Sequence, residues 1–177
     1  MAILKELEII KQCQNGDLSA FRYLFEREKS KMFNTAVRIC GNYQDAEDCI
    51  QEAFIRIYRN ISNFKFESAF STYVYRILVN TCLTHRSKNQ SQIVDISEET
   101  DLTIRSTDFE LTEKLESAIQ KLTGNNKAVF VLYEIEGFTH IEISEMLDIS
   151  IGTSKSCLSR AKEKLQTELK EYKHYEF

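Results

Sequence analysis

Two groups of side chains in this sequence have the types and spacing to do chemistry, and for both the matching chemistry is recognition of nucleic acid. The first is Thr153, Lys155, Ser156, Ser159 and Arg160, hydroxyl donors and cations that recur at helical spacing within GTSKSCLSRAKEKL. Such a face suits phosphate oxygens and the base edges of a major groove. The second is an aromatic cluster, Phe64, Phe66, Phe70, Tyr73 and Tyr75, lying close to Lys65, Arg76, His85, Arg86 and Lys88. Rings stack on unpaired bases for roughly 1–3 kcal/mol each while cations hold the strand's backbone. Both groups also fit a plainer description, a solvated helix face in the first case and a buried stripe of Phe70, Val74, Ile77, Leu78 and Thr81 in the second. No nucleophile motif or Gly-rich phosphate loop accompanies them, so neither enzymatic activity nor a cofactor is expected.

Helices must position both groups. The chain of 177 residues has no Pro and five Gly, and its apolar residues recur nearer every 3.6 than every 2 positions. From Gly137 to Leu165 the sequence reads as two short helices joined by a turn. Thr139 caps the first, whose apolar side is Ile141, Ile143, Met146 and Leu147. Asp148 takes the turn, being one of the few residues that tolerate a left-handed backbone. Ser150 caps the second helix, with Ser154, Leu158, Ala161 and Leu165 inward. Further upstream, Phe21, Leu24, Phe25, Met32, Phe33, Ala36 and Val37 mark a core helix that ends at Gly41. Asn42 then caps a helix whose buried stripe is Ile50, Ala53, Phe54, Ile57, Tyr58 and Ile61. Its other face, Asp48, Glu52, Ile55 and Arg59, mixes charge with an exposed Ile and suits a protein partner.

Charge divides the chain. Residues 1–86 hold 12 Lys and Arg against 10 Asp and Glu, residues 87–110 hold 2 against 6, and residues 111–177 hold 9 against 11. The acidic middle, rich in Ser and Thr and without sustained periodicity, reads as a flexible linker between two small helical domains, 1–86 and 111–177. The expected class is therefore all-α. Neither domain has the basic footprint of an autonomous DNA binder, so a larger assembly must supply further contacts. No apolar run is long enough to cross a bilayer, and Glu6 and Glu8 sit where a signal peptide would be basic then apolar, which predicts a cytoplasmic protein without direct membrane insertion. The five cysteines are scattered, with no pair at metal-ligand spacing, and their odd number argues against a disulfide framework. They read as small core or interface residues. His85, His140 and His174 are equally dispersed, so no metal site is expected.

Taken in order, three blocks resemble the extracytoplasmic-function sigma factors of bacterial RNA polymerase. DAEDCIQEAFIRIYRNI is similar to that family's polymerase-binding helix, typically DAEDLVQEVFLRLWR. FSTYVYRILVNTCLTHRSK is similar to the promoter-melting segment, usually FRTWLYRIARNLALDHLRR. VFVLYEIEGFTHIEISEMLDISIGTSKSCLSRAKEKL resembles region four.

The resemblance implies region two in 1–86 and region four, a helix-turn-helix domain, in 111–177. It implies core polymerase binding through Asp45, Asp48, Gln51, Glu52, Ile55, Arg56 and Arg59. Contacts to the melted minus-ten element fall to Asn63, Phe64, Lys65, Tyr73, Tyr75, Arg76, Asn80, His85 and Arg86. The minus-thirty-five element falls to Thr153, Lys155, Ser156, Ser159 and Arg160. Core RNA polymerase, promoter DNA and an anti-sigma factor are the implied partners. The linker corresponds to a segment that threads towards the RNA exit channel, where Asp95, Glu98, Glu99 and Asp101 could mimic RNA. The competing expectation is a stand-alone helix-turn-helix regulator without melting activity.

Several positions depart from the family pattern. Tyr73 stands where Trp is usual, and Ser71 and Val79 replace residues that are often Arg. Asp148 replaces the turn Gly, Ser154 replaces a buried Val, and Cys157 sits where an Arg often contacts DNA. A less cationic melting helix, a slightly less stable hairpin and an altered promoter preference follow as expectations.

Overall fold

A computed structural model describes residues 2–90 and 107–170, all as helices and connecting turns with no strand among the described residues. They fall into two compact units divided after Cys82. The first holds α1 (Ala2–Gln14), α2 (Leu18–Cys40), α3 (Tyr43–Asn60), a 3-10 turn at Ile61–Asn63, and the start of α4 (Phe70–Gln90). The second holds the rest of α4, α5 (Thr107–Gln120), α6 (Gly124–Phe130) with a π turn over Val131–Ile135, α7 (His140–Leu147) and α8 (Ile151–Glu168). The segment expected as a linker is helical at both described ends, 87–90 and 107–110, and Asp95, Glu98, Glu99 and Asp101 lie outside the described residues.

Local chemistry sets the helix ends. Asp17 opens α2 by accepting from the backbone N–H groups of Ser19 and Ala20, at 2.8 and 3.2 Å. At its far end Gly41 adopts φ 96°, a left-handed stop that a residue with a Cβ rarely takes. Asn42 then caps α3, its Oδ1 accepting from Asp45 N at 2.8 Å. Reversal within two residues forces α2 and α3 to pack side by side, with Met32, Ala36, Ile39, Ala46, Ala53 and Ile57 buried between and beneath them. Two residues leave their expected stripes. Tyr58 is 46 % exposed, its ring edge-on to Phe21, because the buried line runs through Ile57 and Ile61 and the next residue after Ile57 turns about 100° away from it. Ile141 is 59 % exposed, since α7 is only two turns long and buries just Ile143 and Met146.

In the second unit Leu132, Ile143, Met146, Leu158 and Ala161 form the centre of the core. Lys127, also in the second unit, is buried at 1 % exposure and donates from Nζ to Gln120 Oε1 at 2.8 Å, so the ammonium group is taken from water with a hydrogen-bond acceptor supplied. No helix among the described residues is long and apolar enough to cross a membrane.

Candidate functional site

Helix α3 is strongly two-sided. Ala46, Cys49, Ala53, Phe54 and Ile57 are buried, while Asp48, Glu52, Ile55 and Arg59, spaced to share the opposite face, are exposed, with Gln51 and Arg56 exposed beside them. Asp45 differs from the rest: half-buried, it accepts from Asn42 Nδ2 at 2.9 Å and belongs to the cap. Arg56 Nε donates to Glu52 Oε1 at 2.7 Å, an exposed pair of small energetic weight that orders both side chains around Ile55. Ile55 is 45 % exposed at the centre of this polar ring. An apolar group rimmed by charge is the pattern of a protein-docking anchor. A shallow groove between α2 and α3, lined by Phe25, Phe33, Ile50 and Phe54 with Lys29 and Gln51 at its rim, adjoins the face.

The end of α3 leads directly into the aromatic cluster. One side chain from α1 holds the intervening loop: Gln14 Nε2 donates to the carbonyls of Ile61 at 3.0 Å and Phe64 at 2.8 Å. Phe64 packs on Phe66, Phe70 and Tyr73 at ring-centroid distances of 4.9, 5.7 and 4.9 Å. Phe64 and Phe70 are buried, whereas Asn63 and Lys65 are exposed. Phe66 is 37 % exposed and has φ 59°, a left-handed conformation that a bulky residue holds only at a cost of roughly 1–3 kcal/mol. What sets Phe66 apart within the cluster is its positive φ, which is not written in residue type.

Along α4 the expected strand-contacting residues separate. Tyr73, Arg76 and Asn80 share one face, with Arg76 and Asn80 exposed and Tyr73 half-buried. Tyr75 is 3 % exposed, which corrects its expected place among surface contacts: two positions beyond Tyr73, it turns to the other side of the helix and joins the core. Phe64 is likewise enclosed by its neighbours, so it supports the loop's surface from beneath. His85 and Arg86 are half-buried on the last turns of α4, in the second unit.

Tyr73 also carries a buried hydroxyl with no hydrogen-bond partner. Burial raises its pKa, keeping it a neutral donor. Tyr73→Phe is therefore expected to stabilise the chain by about 1 kcal/mol in urea unfolding followed by circular dichroism, because it removes the unsatisfied group and keeps the ring. An unchanged or lowered midpoint would show that the hydroxyl is satisfied in solution.

In the second unit the α7–α8 hairpin follows the sequence closely. Thr139 and Glu142 form a reciprocal capping box, Asp148 takes the left-handed turn at φ 53° and ψ 49°, and Ser150 Oγ accepts from Thr153 N at 2.9 Å. Ser154, Leu158, Ala161 and Leu165 are buried, and Cys157 joins them at 4 % exposure. Cys157 thus faces inward, into the core of the second unit. The enclosed hydroxyl of Ser154 lies 2.9 Å from His140 Nδ1, and the imidazole stacks on Tyr133 at 4.4 Å. Ser154→Ala should cost about 1 kcal/mol of stability by breaking this bond. Equal unfolding midpoints for the two proteins would assign the pair no net weight.

Thr153, Lys155, Ser159 and Arg160 are exposed on α8 and Ser156 is half-buried. Ser156 Oγ donates to Thr153 O at 2.9 Å and Ser159 Oγ to Glu163 Oε1 at 3.3 Å, leaving Lys155 and Arg160 as the cations without an ion pair on this face among the described residues. Lys162, on the adjoining side, pairs with Glu134 at 2.7 Å. Ile151, 42 % exposed at the helix start, adds an apolar group to this face; a lone apolar residue off the stripe carries no periodic signal in the sequence.

The cysteines also depart from expectation. Cys40, Cys49 and Cys82 bring their sulfur atoms within 4.8 Å of one another: α2 ends where α3 begins, and α4 carries Cys82 to the same point. None of the five cysteines is in a disulfide.

Residues 24–92 match Sigma-70 region 2, and residues 112–165 match Sigma-70, region 4. The chain is 34 % identical over 178 aligned positions to the ECF RNA polymerase sigma factor SigW of Bacillus subtilis, covering 92 % of this chain and 95 % of that protein. The chain belongs to the ECF RNA polymerase sigma factors. An ECF sigma-E factor from Haemophilus influenzae is 30 % identical, with 94 % and 96 % covered. In fold, the sigma factor resembles RpoE of Bartonella quintana, solved in complex with the anti-sigma factor NepR, at a TM-score of 0.71, 19 % identity, and 86 % and 98 % coverage. It also resembles CnrH, solved with the cytosolic domain of CnrY, at a TM-score of 0.69, 21 % identity, and 92 % and 95 % coverage. The protein is an alternative sigma factor that directs transcription initiation and performs no catalysis itself. Because the N-terminal part matches region 2, the stand-alone regulator is set aside.

Proposed function

We propose that the exposed face of α3 docks on core polymerase, that the loop after α3 together with Tyr73, Arg76 and Asn80 holds the melted minus-ten strand, and that α8 reads the minus-thirty-five element. The continuity of α3 with the aromatic loop supports this reading most directly. The docking helix ends in the turn at Ile61–Asn63, which Gln14 pins, so polymerase binding and strand capture share one rigid frame. Asn63, Lys65 and Phe66 offer the exposed polar, cationic and aromatic groups there, while Phe64 and Tyr75 form their support. His85 and Arg86 extend the cationic side of α4 towards the strand's backbone.

On α8, Lys155 and Arg160 neutralise phosphates or read guanine, Thr153, Ser156 and Ser159 supply hydroxyls, and Ile151 offers an apolar contact to a thymine methyl. Binding energy drives strand separation, and the protein works in the cytoplasm beside its polymerase. An anti-sigma partner holds the factor idle; RpoE of Bartonella quintana, similar in fold, was solved in complex with one. Residues 1–86 and 111–177 serve as the two promoter-gripping domains, with 87–110 joining them.

Run-off transcription with purified core polymerase and a panel of promoter fragments tests the assignment. Transcripts lost on reversing the α3 face, weakened at all positions by Arg76→Ala, and altered in minus-thirty-five preference by Arg160→Ala are the expected pattern. Unchanged transcription in all three variants would overturn it.

A further inference from the structure

Cys40 is the last residue of α2, Cys49 lies in the second turn of α3, and Cys82 lies within α4. Cys49 and Cys82 are fully buried and Cys40 is half-buried. The Cys40 thiol donates to Cys49 Sγ at 3.7 Å, and all three sulfurs lie within 4.8 Å of one another. Buried cysteines commonly act as small apolar residues, and Cys13 and Cys157 do so here, each without another thiol in such a group. Packing alone gives no reason for three thiols from three helices to aim at one point.

We propose that Cys40, Cys49 and Cys82 bind one thiophilic d10 metal ion, monovalent copper, as a three-sulfur site that ties α2, α3 and α4 together. Metal–sulfur bonds of about 2.3 Å place ligand sulfurs about 4 Å apart in a trigonal site, so the cluster needs shifts of at most about 1 Å to close on an ion. All three donors are sulfur, and no imidazole or carboxylate completes the group among the described residues. Structural zinc almost always takes four ligands, whereas three soft thiolates satisfy Cu(I). The half-buried Cys40, beside the exposed Gly41 at the helix end, gives the ion a way in.

Without metal, the Cys40 and Cys82 thiols resist losing their protons. The hydrogen bond with Cys49, followed by burial, pushes Cys40 up to about 12, although contact with Cys82 works the other way. Contact with Cys40 and Cys49, together with burial, raises Cys82 as well. Each sulfur that ligates must release its proton to solvent, so binding tightens as pH rises.

The test uses the reduced, full-length chain under anaerobic conditions, loaded with Cu(I) and challenged with the chromophoric chelator bathocuproine disulfonate. One equivalent should be retained, with a sulfur-only first coordination shell in X-ray absorption and a raised thermal midpoint. Cys40→Ser, at the half-exposed position least able to disturb the core, should lower affinity at least tenfold, whereas the Cys13→Ser/Cys157→Ser double variant should bind as the parent does. The X-ray spectrum of the unaltered chain decides the ligand set without reliance on any variant's folding. Failure to retain copper, retention unchanged by Cys40→Ser, nitrogen or oxygen in the first shell, or preference for Zn(II) in a parallel titration would each overturn the site.

Discussion

Ile55→Asp is expected to lower the affinity of the sigma factor for core polymerase by about thirtyfold or more, the effect of losing a central docking anchor worth at least ~2 kcal/mol. The new carboxylate replaces the apolar anchor with a group that must give up its water at the centre of the docked face. Because Ile55 is 45 % exposed, the substitution should change the stability of the chain alone by no more than about 0.5 kcal/mol. Competition for core polymerase against a fluorescent copy of the unaltered protein, with circular dichroism on each variant, separates the two effects. Full competition by the variant would remove the α3 face from the docking surface. A Glu52→Lys variant should give a smaller loss, since the Glu52–Arg56 pair is exposed and screened.

The second large effect belongs to Phe66. Phe66→Ala should reduce open-complex formation by about tenfold, within the roughly 1–3 kcal/mol that one stacked base contributes, while core affinity stays the same. Permanganate footprinting of the minus-ten region, at polymerase concentrations that saturate the factor, reads the melting step alone. Phe66→Gly is the informative companion, because it removes the same ring and also relieves the left-handed backbone at φ 59°. Equal defects in the two variants assign the effect to the ring; a defect confined to one makes loop conformation the cause. Normal melting in both would exclude Phe66 from strand capture. Phe64→Ala is a poorer probe of the same step. Its ring is buried against Phe66, Phe70 and Tyr73, so truncation should remove about 3–5 kcal/mol of stability and mix unfolding with any melting defect.

Gln14 shows how the site depends on contacts far apart in the chain. Its amide holds two loop carbonyls some fifty residues away, and nothing about an isolated glutamine near the N-terminus distinguishes it from a solvated one. The Ser154–His140 bond has the same character: the sequence shows a small polar residue on an apolar stripe, while the imidazole that satisfies it comes from the preceding helix.

What the sequence determined by itself was whatever depends on neighbours within a turn or two. Caps at Asn42, Thr139 and Ser150, the stop at Gly41, the left-handed turn at Asp148 and the two-sided pattern of α3 and α8 are local effects of dihedral preference, side-chain reach and 3.6-residue periodicity. They were enough to specify helices throughout the described residues and the two-sided character of α3 and α8. Only the tertiary structure decided which rings of the aromatic cluster meet solvent, because burial depends on what packs from outside the helix. It separated the enclosed Phe64 and Tyr75 from the strained, half-open Phe66, and it brought Cys40, Cys49 and Cys82 to one point. Periodicity gives a residue's direction around its own helix; packing decides what lies in that direction.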